Sequence, residues 1–230
     1  LQLVAVADPF AVGDEVAGCT VLGGAADLVE AGVDVVVDFT VADSARVSLP
    51  VVAAAGVHAV VGTSGLDDDD RASLDAVFSS SACLIVPNFA IGAVLMQRFA
   101  EMAAPWFDTA EIIEFHHDDK VDAPSGTALM LGEAAASGRN VELDGVRAAP
   151  RNGVGEPRAE GEIGFAALRA GGIIGEHSVI FASDDEVLTL SHSAIDRSLF
   201  AKGAVAAAAW VRNRRPGLYD MQDVLGFRQA

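Results

Sequence analysis

The chain has few cationic residues and few cysteines for its length. Its 230 residues include 15 lysines and arginines against 33 acids, which gives a formal net charge of −18. A negative field of that size repels nucleic acids and anionic membrane surfaces, so neither is an expected partner. The two cysteines, Cys19 and Cys83, lie in apolar stretches without a C-x-x-C pair. They are typical of buried free thiols in a reducing compartment, not of a disulfide or a metal centre.

Long apolar runs are missing as well. No window of about 18 residues is free of polar side chains, so no membrane-spanning helix is predicted. No basic segment precedes a short apolar run as in a signal peptide, so the expected location is the cytoplasm. The acidity is typical of a well-solvated surface, and the length suffices for one large or two small domains.

Strands alternate with helices over the first 90 residues. The strand-like runs are 1–8, 33–39, 57–61 and 83–86, and the helical runs are 25–31, 42–55 and 67–78. Continuous Val and Ile in the strands favour a parallel sheet that is covered on both faces. We expect Thr40 to cap the helix at 42–55 and Pro50 to kink or divide it.

The second half of the chain has a different pattern. Residues 91–106 carry apolar side chains at helical spacing, which predicts a core helix whose buried positions are 91, 94, 95, 99, 102 and 106. Three strand-like runs with tight separators favour an antiparallel or mixed sheet, and they lie at 161–169, 175–182 and 186–192. Helices are also expected at 125–136 and 196–215.

The turns after the first-half strands are the expected ligand-binding edge. In parallel sheets ligands bind at the carboxyl ends of the strands. The turns in question are Asp8, Phe39-Thr40, Gly62-Thr63-Ser64 and Pro87-Asn88-Phe89. Asp8 resembles the strand-end acid that hydrogen-bonds an adenosine ribose, although no G-x-G-x-x-G run precedes it in this sequence.

A polar loop after residue 109 concentrates the reactive side chains. His116 and His117 are neighbours on a strand, so they point to opposite faces and are expected to have different roles. Histidine titrates near neutrality and suits proton donation, while Lys120 can neutralise a substrate carboxylate. The run Pro124-Ser125-Gly126-Thr127 opens a helix, whose free N–H groups and dipole favour an anion.

Simpler interpretations of the same residues stay open at this point. The two histidines can be structural, and Ser125 can be an ordinary helix cap. A metal site is not predicted, because adjacent histidines lack the i, i+2 or i, i+4 spacing of metal ligands.

The motif E-F-H-H-D-D-K-V-D-A-P-S-G-T-A at 114–128 resembles the signature of the 4-hydroxy-tetrahydrodipicolinate (dihydrodipicolinate) reductases. Further similar motifs extend over essentially the whole chain: D-F-T at 38–40, V-V-G-T-S-G at 60–65, P-N-F-A-I-G at 87–92, G-E-I-G at 161–164, G-E-H-S-V-I-F-A at 175–182 and D-R-S-L-F-A-K-G-A at 196–204. The resemblance implies an α/β fold with a Rossmann-type parallel domain (1–90 and 196–230). It also implies an α+β domain with a mixed sheet (91–195) that binds substrate and forms a homotetramer.

The resemblance also implies an activity and the residues that carry it. A nicotinamide passes hydride to a cyclic dicarboxylate in diaminopimelate and lysine biosynthesis, with His116 as proton donor and Lys120 as its partner. Substrate contacts are implied at His117, Ser125, Gly126 and Thr127. Cofactor contacts are implied at Asp8, Gly62, Thr63, Ser64, Pro87, Asn88, Phe89 and Ala90.

One departure from the family pattern concerns the cofactor. The family begins with a strand, a Gly-rich phosphate loop and a helix that this sequence lacks, so we expect the chain as written to bind the cofactor poorly. Either NADH or NADPH can be the donor, and Asp8 favours NADH because it repels a 2′-phosphate. The alternative function is that of a non-catalytic paralogue that binds a dicarboxylate.

Overall fold

The computed structural model describes residues 1–151 and 153–228. Within them the chain divides into two compact units, one formed by residues 1–89 with the stretch from Phe200 onwards, the other by residues 90–199. The first unit contains a parallel sheet and the second a mixed one, which confirms the predicted combination of a Rossmann-type domain with an α+β domain. Among the described residues, no helix is both long and apolar enough to cross a membrane.

The first unit starts with short strands and continues with alternating helices and strands. Its elements up to residue 89 are β1 (Val6–Ala7), β2 (Glu15–Val16), β3 (Cys19–Leu22), α1 (Ala25–Glu30), β4 (Val35–Asp38), α2 (Ala42–Ala54), β5 (His58–Val61), α3 (Asp68–Val77) and β6 (Ala82–Ile85). The predicted strand at 1–8 shrinks to two residues. Within the part of the chain that the structure describes, these two residues pair with β3 alone, and Leu1, Leu3 and Val4 are exposed. The hairpin of β2 and β3 was not predicted.

The second unit consists of helices and a four-stranded sheet. Its elements are α4 (Ile91–Ala103), a 3-10 turn (Ala104–Trp106), β7 (Thr109–His116), α5 (Gly126–Gly138), α6 (Leu143–Val146), β8 (Ile163–Arg169), β9 (Glu176–Ala182) and β10 (Val187–Ser193). The chain then continues into α7 (Ser198–Val211), β11 (Gly217–Tyr219) and α8 (Met221–Val224).

The parallel sheet of the first unit has the order β11-β6-β5-β4. All three strand pairs are parallel, so the turns after β4, β5 and β6 leave the same edge of the sheet. Every residue of β6 is buried, as expected for a strand covered on both faces. The core beneath the helices includes Leu49, Val52, Phe78 and Ile85.

The expectations about α2 had different outcomes. The helix is not divided at Pro50, because α2 runs from Ala42 to Ala54 through that residue; a kink there stays a prediction. The expectation that Thr40 caps the helix was wrong: Val41 occupies the N-cap position, and the Thr40 hydroxyl instead donates to the Asp38 carboxylate at 2.7 Å.

The mixed sheet of the second unit has the order β10-β9-β7-β8. β7 pairs in parallel with β8 and antiparallel with β9, which itself pairs antiparallel with β10. β7 therefore lies inside the sheet, and its residues alternate strictly between half-buried and buried. The buried core of this unit includes Met96, Ile112, Leu131, Ile163 and Phe181.

The predicted core face of α4 was largely wrong. Ile91, Phe99, Met102 and Trp106 are exposed, whereas Ala93, Val94, Met96 and Ala100 are buried. α4 and α5 approach closely: a Cβ on Gly138 of α5 would lie 2.1 Å from the Glu101 carbonyl oxygen of α4, so this contact requires glycine on α5. The apolar period alone does not reveal that close approach.

Candidate active site

The alternation of β7 places Glu114 and His116 on the same buried face. Residues two apart on a strand share a face, and the relative exposures here are 1% and 8%. Glu114 Oε2 lies within ion-pair distance of His116 Nδ1, an ion pair when the imidazole is protonated. Among the described residues, neither of these two buried atoms has a partner that meets the full geometry of a hydrogen bond. A buried carboxylate thus faces the first of the two predicted histidines.

The second oxygen of Glu114 is held by donors from two other elements. Oε1 accepts the Ser125 backbone N–H at 2.9 Å and the Arg169 Nη2 at 3.2 Å. Burial is the largest influence and acts to raise the pKa of Glu114, but these donors and the adjacent His116 together hold it below its ordinary value. The carboxylate is therefore ionised at neutral pH.

Arg169 ties the polar loop to the sheet. It ends β8 opposite His116, and it donates to the backbone oxygens of Lys120 and Asp122 at 3.1 and 2.6 Å. The sequence analysis missed this residue, because its partner on β7 follows only from the register of the two strands.

His177 completes the buried cluster. It is the cross-strand partner of Glu114 on β9, and its Nε2 lies 3.1 Å from Ser125 Oγ. Burial first, and then the charge of His116, lower its pKa to about 4, so this imidazole is neutral at pH 7. Its motif G-E-H-S was noticed in the sequence, but no role was assigned to the histidine.

The start of α5 is built as the sequence predicted. Ser125 is the N-cap, its Oγ accepting the Ala128 N–H at 3.2 Å. Ser125 is itself buried, so it lies behind the helix start, whereas Gly126 is exposed and a Cβ there would meet nothing within 4 Å. The open side of this helix start is therefore formed by Gly126 and the adjacent half-buried Thr127.

The two remaining predicted residues lie in the loop between β7 and α5. Lys120 Nζ bonds both oxygens of Asp122 at 2.7 and 2.9 Å, which lowers the pKa of that carboxyl. His117 is half-buried just beyond the end of β7. The positive charge of Lys120 acts to lower the pKa of His116, so the loop and the buried cluster interact electrostatically.

Glu114, His116 and His177 each offer a metal ligand atom, and these atoms lie within 4.8 Å of one another. Two imidazoles and a carboxylate are a ligand set that Zn²⁺ accepts. Here Arg169 shares the same carboxylate and Lys120 is close enough to act on His116, and both cations oppose a divalent ion. We interpret the cluster as a proton-handling network, and the absence of a metal stays a prediction.

In the first unit the turns after three parallel strands meet at one edge. The rings of Phe39 and Phe89 lie 5.3 Å apart, and a Cβ on Gly62 would come within 2.6 Å of both of them. The buried Asp38 carboxylate accepts the Thr63 hydroxyl at 2.7 Å, so the turn after β5 is bonded to the end of β4. Glycine is thus required where three predicted cofactor turns converge.

The other predicted cofactor residues differ in exposure. Ser64 and Pro87 are exposed, Asn88 is half-buried and Ala90 is buried. Asp8 follows β1 in the three-stranded sheet, where it is exposed and its Oδ1 accepts the Phe10 N–H at 2.9 Å.

Comparison with known proteins identifies the family. Residues 3–89 match the model of the dihydrodipicolinate reductase N-terminus, and residues 92–225 match that of its C-terminus. The 4-hydroxy-tetrahydrodipicolinate reductase of Caulobacter vibrioides is 51% identical over 205 residues, covering 86% of this chain and 79% of that protein. The enzyme of the same name from Methylocella silvestris is 47% identical, covering 97% of this chain and 86% of that one.

A solved structure supports the same assignment. The dipicolinate-bound dihydrodipicolinate reductase from Paenisporosarcina sp. TG-14 aligns with a TM-score of 0.76 at 28% identity, covering 90% of this chain and 79% of that one. With both family models matched in order along one chain, this protein belongs to the dihydrodipicolinate reductase family.

Proposed function

We propose that the protein reduces 4-hydroxy-tetrahydrodipicolinate to tetrahydrodipicolinate with NAD(P)H, in diaminopimelate and lysine biosynthesis. The observation that carries the proposal is the buried His116, paired with Glu114 beside an open helix start and Lys120. This arrangement combines a proton donor with groups that bind carboxylates.

The reaction replaces a ring hydroxyl by hydrogen. Loss of water leaves an unsaturated ring, and addition of a hydride to that ring leaves an electron pair that must take up a proton. One hydride and one proton enter and one water leaves, while NAD(P)H becomes NAD(P)⁺. His116 supplies the proton and Lys120 assists it by stabilising the anionic substrate.

The substrate carboxylates are held by the loop and the helix start. Gly126 and Thr127 present the first-turn N–H groups and the Thr127 hydroxyl, and Ser125 holds that turn in place through its cap. His117 supplies a further contact from the other side of the strand end.

The residues at the parallel-sheet edge fit a nicotinamide cofactor. A bound NAD(P)H supplies the hydride. Gly62, Thr63 and Ser64 line the turn after β5, and Pro87, Asn88, Phe89 and Ala90 line the turn after β6. Gly62 has no side chain, which lets the Phe39 and Phe89 rings pack together between these two turns.

We expect NADH to be the better donor, with kcat/KM roughly tenfold above that for NADPH, the scale of one unfavourable charge contact. Asp8 is exposed at the end of β1, where its carboxylate would accept a ribose 2′-hydroxyl and repel a 2′-phosphate. Steady-state assays of the Asp8→Asn variant should show a smaller preference. An unchanged ratio in that variant would exclude Asp8 as the selecting residue.

The second unit is proposed as the substrate-binding and tetramerisation domain of a cytoplasmic enzyme. The dipicolinate-bound relative has a dicarboxylate ligand, in agreement with a small-molecule partner here. Light scattering of the purified protein would measure the mass directly, and a monomer would contradict the homotetramer.

The test of the proposed function is oxidation of NADH by the full-length protein, supplied with the condensation product of aspartate semialdehyde and pyruvate. Loss of absorbance that depends on both enzyme and condensation product supports the reductase. Binding of dipicolinate without NADH oxidation would instead identify a non-catalytic dicarboxylate binder.

Thr127→Ala should raise KM about tenfold and change kcat little. A hydrogen bond to a charged group contributes about 1.5–3 kcal/mol, and the contact with a substrate carboxylate exists before and after hydride transfer. Thr109→Ala is the matched control. It removes a threonine hydroxyl from the second unit too, but that hydroxyl donates to the Ala182 carbonyl oxygen between β7 and β9 and is not at the helix start. A wild-type KM in Thr127→Ala would remove this residue from the substrate site.

A further inference from the structure

The proposed function names Glu114 as the partner of His116 but assigns it no step, yet this carboxylate contacts both parts of the substrate site. One oxygen pairs with His116 Nδ1, and the other accepts the Ser125 N–H directly before the open helix start. The carboxylate is 1% exposed, so no substrate reaches it. Any effect of Glu114 on the reaction must therefore act through the residues that it contacts.

The pairing determines which imidazole nitrogen is available. With Nδ1 directed at Glu114, His116 Nε2 is left for proton transfer. A Cβ on Gly175 would lie 3.1 Å from Nε2, so the absence of a side chain at Gly175 leaves room beside this nitrogen. The geometry thus separates Nδ1, which is buried against Glu114, from Nε2, which lies beside the space at Gly175.

Resting on the proposed function, we propose that Glu114 is a positioning residue: its carboxylate holds the Nδ1–H of His116, fixes the ring, and stabilises the imidazolium that donates its proton from Nε2. After the transfer the imidazole is neutral, with its remaining proton on Nδ1 towards Glu114. A proton from solvent then restores the imidazolium on Nε2. Without an anion at Nδ1, the neutral ring can keep its proton on Nε2, and donating from that state would require an imidazolate.

The charges around His116 show why an anion is needed. The charges of Lys120 from the loop and Arg169 from β8 act on His116. The neutral His177 ring from β9 packs edge-on with a centroid distance of 5.2 Å, and His117 follows in the chain. Burial first, and then Lys120 and Arg169, act to lower the pKa of His116, while Glu114 acts to raise it. Glu114 therefore opposes the local tendency to lose the proton that the reaction needs.

The Glu114→Gln variant removes the negative charge of this side chain and keeps its shape. Ser125 N–H and Arg169 both donate to Oε1, so these donors select the amide oxygen at that position and direct the amide NH2 at His116 Nδ1. Nδ1 must then accept a hydrogen bond, which places the proton on Nε2 and disfavours the imidazolium. The bond to the helix start is kept, so substrate binding is expected to change much less than turnover.

The matched control is Glu111→Gln, on the same strand but on the opposite face. The Glu111 carboxylate pairs with Arg158, and the alternation of β7 places it on the face opposite His116. Both variants lose one charge from β7, so a general effect of charge or of strand stability appears in both.

The experiment measures kcat against pH and records the ¹⁵N spectrum of the histidines in the resting enzyme. We expect Glu114→Gln to lower kcat at least about tenfold at pH 7, to move the fall of kcat to lower pH, and to shift His116 from the Nδ1–H to the Nε2–H tautomer. Glu111→Gln should leave all three unchanged. The spectrum needs no substrate, so it tests the pairing even if the wild-type protein has no reductase activity.

Two results would overturn the proposal. One is a Glu114→Gln variant with the wild-type pH profile and tautomer. The other is an equal loss of kcat in Glu111→Gln and Glu114→Gln with the tautomer unchanged, which would assign Glu114 to strand stability alone.

Discussion

Replacing His116 by Gln should lower kcat by roughly 10²- to 10⁴-fold, the range that general acid catalysis contributes, and should change KM far less. Glutamine keeps a polar group of similar reach but carries no proton that it can release. The ring is 8% exposed and paired with a buried carboxylate, so bulk water is poorly placed to replace it. The Thr127→Ala and Glu114→Gln variants, by contrast, keep the proposed proton donor in place.

The pH dependence of the wild-type enzyme checks the same assignment. A donor must be protonated, so kcat/KM should fall as pH rises through the pKa of His116 in the free enzyme. Burial lowers that pKa below its ordinary value of about 6.5, so the fall should begin on the acid side of neutrality. His116→Gln should lose this limb, and a variant that kept both the limb and wild-type kcat would exclude His116 as the donor.

The placement of the polar loop between β7 and α5 was predictable because its information is local. His116, Lys120 and the Ser125 cap lie within ten residues, and the alternation of a strand already separates the faces of His116 and His117. Glu114 could have been found in the same way, since it is two residues before His116 on an apolar face. Arg169 and His177 could not, because they reach the site through the register of β7 with β8 and β9, and local patterns do not reveal strand register.

The fold likewise contains elements that local sequence patterns predict and elements that depend on contacts between distant segments. The parallel strands β4, β5 and β6 were predicted because burial on both faces leaves continuous apolar runs. β11 was missed, since a strand of three residues carries no period and forms only because β6 offers an unpaired side. The core face of α4 was mispredicted for a related reason: the side of α4 that is buried depends on its contact with α5, which lies between segments distant in sequence.

Arg139→Leu should destabilise the second unit by about 2–3 kcal/mol. The guanidinium of this half-buried residue, at the end of α5, donates to three backbone oxygens: Ala104 at 3.1 Å, Phe107 at 3.0 Å and Gly161 at 3.2 Å. Each carbonyl left without a donor costs about 1–3 kcal/mol, and relief from burying the charge offsets part of that sum. Leucine retains the apolar contacts of the side chain's stem but cannot join the segment after α4 to the segment before β8.

Thermal unfolding measures this effect, and the melting temperature should fall by about 5–10 °C for a chain of this size. Arg147→Leu is the control: Arg147 is exposed, and its guanidinium lies 5.2 Å from the Phe165 ring, a contact that contributes about 0.5–1 kcal/mol. The difference between the two variants isolates the three carbonyl bonds, because both lose one charge and one long side chain from the same unit. Equal melting temperatures in the two variants would mean that those carbonyls find water instead, and that the end of α5 is held by its apolar contacts alone.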